Sequence, residues 1–141
     1  MTATSMSGAL HVSPTRGMTV EQEPIAILPY ACVAADLGKA GWDALLRFKH
    51  VESPTPRKLT EWPAFRESGA KSVREFERAF TCVRIEALPG TLRVEGLVPV
   101  PAADGLFVGR YVTNVCDAHQ LGELVLVVTR CVLHVAEAEY P

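Results

Sequence analysis

The sequence predicts an α+β fold: a small antiparallel sheet of about four strands packed against two longer helices and one or two short ones. Three observations carry this expectation. Apolar residues between Ser72 and Phe80 recur at helical spacing. From Cys82 to Val98 they alternate with period two around a Pro89-Gly90 turn. Strand-like runs are also grouped together rather than interleaved with helices, which argues against a doubly wound parallel sheet.

Along the chain, Met1 to Glu23 is rich in Ser, Thr, Gly and Met, shows no period, and carries a second methionine at Met18. It reads as a flexible leader, with Met18 as an alternative start, and leaves residues 24–141 as a single α+β domain. Ile25 to Tyr30 is an apolar run with Pro29 near its end and reads as a first strand. A helix follows from about Asp36 to Lys49. Leu37, Gly41, Ala44, Leu45 and Phe48 share one stripe, Trp42 and Leu46 widen it, and Lys39, Asp43 and Arg47 recur four residues apart on another face. Gly38 and Gly41 lower its helix propensity, so packing must hold it.

Pro54 and Pro56 mark a loop. Thr60 is placed to cap a short helix containing Trp62 and Phe65, in which Pro63 is tolerated in the first turn. Ser68-Gly69-Ala70 ends it. Ser72 and Glu75 form a capping-box pair at the start of the next helix, whose apolar stripe is Val73, Phe76 and Phe80. Val83, Ile85 and Ala87 alternate with Cys82, Arg84 and Glu86 as a half-buried strand, and Thr91 to Val98 returns from the turn. Leu106 to Val115 is a third β-prone run after an Asp104-Gly105 turn, which completes an antiparallel meander. Asp117 and Gln120 form a second capping pair, opening a helix from Ala118 to about Leu133. There, Leu121, Leu124, Val125, Val128 and Cys131 share one face. The Val-rich stretch Leu124 to Val128 would equally suit a buried strand, and the last residues, Glu137 to Pro141, read as frayed.

Bulk properties narrow the function. With 141 residues and 48% hydrophobic side chains, the chain has material for one cored domain. Its net charge is -2, with no run of Lys and Arg, so nucleic acid is not expected as a direct partner. No apolar stretch is long enough for a bilayer, and the N-terminus lacks the pattern of a secretory signal, which points to a cytoplasmic protein away from membranes. Cys32, Cys82, Cys116 and Cys131 stand far apart, as expected of reduced, buried, small hydrophobes rather than a disulfide or zinc framework.

Chemistry-bearing motifs are scarce. His11, His50, His119 and His134 show no metal-ligand spacing, and His50 is explained by the dipole of the helix it ends. No Gly-rich phosphate loop is present, and Glu75 and Glu77 point to different sides of one helix. Trp62 and Phe65 read as core before recognition patch. Cys116, Asp117 and His119 are the one local cluster with the residue types of a nucleophilic site, since helix N-terminal N–H groups stabilise a thiolate. The simpler account is a buried Cys116 and a solvated His119. The expectation is therefore a protein that is not an enzyme and holds no cofactor and no metal. The alternatives are a small cytosolic enzyme using Cys116 and His119, or an oligomeric accessory domain that pairs through an exposed strand edge.

Trp62-Pro63-Ala64-Phe65, then Ser68 to Glu77, followed at once by the strand from Cys82, resembles the small immunity proteins of bacterial contact-dependent growth inhibition and related polymorphic-toxin systems. In those families a Lys-Ser-x-x-x-Phe-Glu helix start leads into a strand and hairpin and then a final helix. Here Lys71, Ser72, Phe76 and Glu77 match, and Gly122-Glu123-Leu124 fits the last helix. The resemblance spans roughly residues 25–134 and transfers no catalytic residue. It implies a monomer or small homo-oligomer that binds and blocks a cognate toxin C-terminal domain. A charge of -2 departs from the acidic character of many such proteins, so a nuclease toxin is not implied. The contact residues expected from exposure alone are Glu61, Arg66, Glu67 and Asp104.

Overall fold

In the computed structural model, residues 4–12, 19–29, 31–49, 58–98, 106–113 and 117–139 are described. The first elements are two strands, β1 (Thr4–Val12) and β2 (Thr19–Pro29), followed by helix α1 (Ala34–Arg47). A single 3-10 turn (Leu59–Glu61) and two short helices come next, α2 (Pro63–Ser68) and α3 (Val73–Ala79). Strands β3 (Cys82–Leu88), β4 (Thr91–Val98) and β5 (Leu106–Thr113) lead into α4 (Ala118–Glu139). The α+β class is as expected.

The sheet is not a single one of four strands. β3-β4-β5 form the expected antiparallel meander, while β2 pairs only with β1 in a separate two-stranded sheet. The segment expected to be a leader therefore holds a strand, and Thr4↔Pro29 to Val12↔Thr19 are in register. Pairing is irregular between Ser7 and Ala9, opposite the stretch that contains Pro24. Pro24 has no N–H to donate to a ladder, so it falls where the ladder is interrupted. Its carbonyl accepts from Arg47 at 3.3 Å, which ties the hairpin to the end of α1.

The Leu124–Val128 ambiguity is resolved as helix, and α4 runs on to Glu139, past the expected end near Leu133. Asp117 Oδ1 accepts from the Gln120 N–H at 2.8 Å, as the capping pair requires. Leu121, Val125, Val128 and Val132 of α4 close over Leu92 and Val94 of β4. Leu37, Trp42 and Leu45 of α1 and Val83 and Ile85 of β3 pack around this core. Leu46, expected on the apolar face, is instead 74% exposed. The Lys39–Asp43 pair at 2.7 Å keeps the polar face of α1 outward, and Arg47 turns away from it to Pro24.

At two glycines, α1 and α4 also come into backbone contact. An alanine Cβ built at Gly38 would stand 1.6 Å from the Ala118 carbonyl oxygen, and one at Gly122 would stand 1.8 Å from that of Ala34. Each glycine therefore admits the opposing helix where a side chain would otherwise be. This explains two residues that sequence propensity alone counts against the helices.

On the sheet, Glu86 and Arg93 are cross-strand partners joined by an ion pair at 3.1 Å. Glu95, only 2% exposed, lies in register with Arg84 on β3 and Arg110 on β5. A buried carboxylate calls for a compensating charge, and the Arg93 Nε stands 3.9 Å from its Oε1. The cysteines differ from expectation: Cys82 is exposed, and Cys32 and Cys131 are half-buried.

Candidate functional site

The segment carrying the family-like motif folds into the 3-10 turn, α2 and α3, a short helical corner against the N-terminal hairpin. The Glu61 carboxylate accepts from the Lys58 N–H at 2.9 Å and closes the 3-10 turn. Thr60 lies within that turn, so the residue preceding α2 is Trp62 rather than Thr60, with Pro63 at the first helical position. Gly69, at φ 70, ends α2 in the left-handed conformation that glycine adopts without strain.

Ser72 Oγ then accepts from the Glu75 N–H at 3.1 Å. The reciprocal half of the expected box is displaced by one residue, because the Glu75 carboxylate takes the N–H of Lys71, not Ser72, at 2.8 Å. Phe65, Phe76 and Phe80 form a row, with ring centroids 5.5 Å apart in the first pair and 5.0 Å in the second. These rings are half-buried, and α3 contributes no buried residue at all. The corner is held by caps and a local aromatic row, and it sits outside the main core.

Two acidic residues of β2 anchor this corner. Glu21, 8% exposed, accepts from the Ala64 N–H at 2.9 Å in the first turn of α2. Glu23 pairs with Arg66. Burial pushes the Glu21 carboxyl above its usual range, against the opposing effects of the Ala64 N–H and the Arg66 charge. A raised folded-state pKa means that the ionised carboxylate is penalised at neutral pH. That penalty is relieved as pH falls through the folded pKa toward the ordinary glutamate value. Glu21→Gln keeps an acceptor for Ala64 and removes the charge. In urea unfolding at a series of pH values, the variant should gain stability over the parent at pH 7, with the difference shrinking toward pH 4. A difference that does not change with pH would remove burial of the charge as the cause.

The expected contact residues are partly brought together. Glu61, Arg66 and Glu67 lie on the 3-10 turn and α2, all exposed. Glu61 and Arg66 already have intramolecular partners, Lys58 and Glu23, which sequence exposure did not reveal. Asp104 lies outside the described residues. So does Cys116, and its presumed base His119 is exposed on the first turn of α4, with Nε2 3.3 Å from Glu123. Among the described residues, no group of three His, Cys, Asp or Glu side chains is placed to hold a metal ion. No described helix is long and apolar enough to cross a membrane. An open depression lined by Ser72, Arg74, Glu75, Arg78 and Ala79 runs along α3.

No protein-family model and no curated protein matches this chain. Among solved structures, it is similar to a protein of unknown function, NMB0488 from Neisseria meningitidis. The two share 16% sequence identity, and the match covers 91% of this chain and 93% of the other at a TM-score of 0.64. At that identity the likeness concerns the fold.

Proposed function

We propose that the protein is an immunity factor, a cytoplasmic binding protein that neutralises the toxin domain of a contact-dependent growth inhibition system. The observation that carries this reading is the placement of its family-like segment. Trp62 to Glu77 forms a capped corner whose second helix has no residue in the core. A helix that adds nothing to the core and is still fixed by caps and stacked rings is what a preorganised binding surface requires. The alternative readings, a Cys116/His119 enzyme and an accessory domain, have no comparable observation behind them.

The test is protection. If the gene immediately upstream encodes a large exported protein, its C-terminal domain is the partner to express. Cells carrying that domain should grow only when this chain is co-produced. The purified pair should bind with a nanomolar-class Kd, because blocking a lethal activity needs slow release. An upstream gene of unrelated metabolism, or a toxin domain that kills equally with and without the chain, would sink the reading.

A further inference from the structure

We infer that β3 is a self-pairing edge, through which two copies of the chain join their three-stranded sheets into one. Among the described strands β3 pairs with β4 alone, so it ends its sheet, and α4 and α1 are the other elements packed against it. Those helices lie on the face where Val83 and Ile85 meet the core. Arg84 and Glu86 alternate with them and project from the opposite face.

The turn decides which backbone groups of β3 are spare. Leu88 and Thr91 are ladder partners across the two-residue Pro89-Gly90 turn, so they exchange both of their hydrogen bonds. Alternation then commits Glu86, Arg84 and Cys82 to β4 as well. It turns the N–H and C=O groups of Val83, Ile85 and Ala87 toward the open edge. Such a row of groups is a template for another strand.

Charged side chains commonly guard an edge against pairing, and here their signs select one register instead. Antiparallel pairing about Ile85 sets Val83 opposite Ala87 of the second copy and Ile85 opposite its own counterpart. It also sets Arg84 opposite Glu86 twice, once on each side of the two-fold axis. Centring the pair on Arg84 or on Glu86 would oppose like charges, which repel across a ladder. Arg84 and Ala87 are exposed, and the Glu86 side chain is 44% exposed. Glu86 already accepts from Arg93 at 3.1 Å, and a carboxylate takes more than one donor. Each junction therefore extends that pair to Arg93, Glu86 and Arg84 of the second copy. The occupant is a second copy of this chain because the charge pattern of the strand is complementary to itself.

Sedimentation velocity of the full chain, from low micromolar to near-millimolar concentration, is the test. The parent should pass reversibly from monomer to dimer, and salt should weaken the dimer by screening its exposed ion pairs. Ala87→Pro removes an outward N–H, leaves the β4 ladder intact and should stay monomeric throughout. Arg84→Glu opposes like charges at both pairs and should weaken the dimer by roughly tenfold or more. Mixing Arg84→Glu with Glu86→Arg restores opposite charges at both, so the mixture should dimerise although each variant alone does so poorly. Circular dichroism checks that each variant is folded, and if Glu86→Arg is not, Ala87→Pro and Arg84→Glu decide. A parent that stays monomeric, variants that dimerise like the parent, or a mixture of folded variants that gains nothing would each overturn the inference. The dimer is independent of toxin neutralisation, so none of these outcomes bears on the protection test.

Discussion

Gly38→Ala and Gly122→Ala should each lower the melting temperature by roughly 12 °C, while Gly41→Ala changes it only slightly. The reason is what each new methyl group would meet. At Gly38 it would lie 1.6 Å from the Ala118 oxygen and 2.8 Å from the Gly122 nitrogen, all backbone atoms of α4. At Gly122 it would lie 1.8 Å from the Ala34 oxygen and 2.9 Å from the Gly38 nitrogen. Backbone cannot rotate aside, so the two helices must separate along their crossing. Overpacking a core costs about 1–3 kcal/mol where side chains can adjust. Here they cannot, and about 3 kcal/mol or more is expected, with a fall of about 4 °C per kcal/mol for a domain of this size. Helix propensity works in the opposite direction, since alanine is favoured over glycine by about 1 kcal/mol. Steric overlap must outweigh that gain. At Gly41 the nearest atoms are side-chain carbons, Cδ1 of Ile85 at 3.3 Å and Cδ2 of Leu121 at 3.6 Å, which can yield. Thermal melts of the three variants decide the matter. Equal shifts at all three positions would show that the crossing does not depend on backbone contact.

The same glycines show how far the sequence could be read. Gly38 was legible as a weak point in helix propensity, and packing was correctly expected to compensate. What propensity cannot say is that the compensation comes from another glycine more than eighty residues later, because the pair exists only once α1 and α4 cross. Local signals fared well where their cause is local. Ser72 and Asp117 cap as their spacing requires, and the β3–β4 turn falls at Pro89-Gly90. Leu46 failed because helical spacing identifies an apolar face without showing how much of it a neighbour covers. In the candidate site, the α3 corner was legible as an element, but its brace from β2, through Glu21 and Glu23, was not. Arg66 was expected to contact a partner and is engaged by Glu23, a residue then assigned to the leader.

That leader is the largest departure from expectation, and a period-two signal was present in it. Met6, Gly8, Leu10 and Val12 alternate with Ser5, Ser7, Ala9 and His11. The small and hydroxyl side chains masked the pattern, and Glu21-Gln22-Glu23-Pro24 argued against a strand beyond it. The structural consequence is testable by starting the chain at Met18. If Met1 to Glu23 were only a leader, the shortened protein would melt like the parent. The hairpin predicts otherwise. Without β1, strand β2 has no pairing partner, since the two form a sheet of their own. An unpaired strand does not persist in water, and even an isolated two-stranded hairpin is marginal. Loss of β2 would remove the Glu21 acceptor from the Ala64 N–H, the Glu23–Arg66 pair and the Arg47 contact with Pro24. At about 1 kcal/mol for the part-buried Ala64 bond and less for the two exposed contacts, the loss is roughly 1–2 kcal/mol. The core of α1, α4 and β3–β5 should remain folded by circular dichroism. Hydrogen exchange should nevertheless accelerate at Ala64, and fraying of α2 should pass to the α3 corner that it supports. If the corner carries the binding surface, the shortened chain keeps most of its helical signal and binds the toxin domain more weakly, through order lost at the corner rather than through any contact of its own. Unchanged melting together with unchanged exchange at Ala64 would show that the hairpin does not brace the corner.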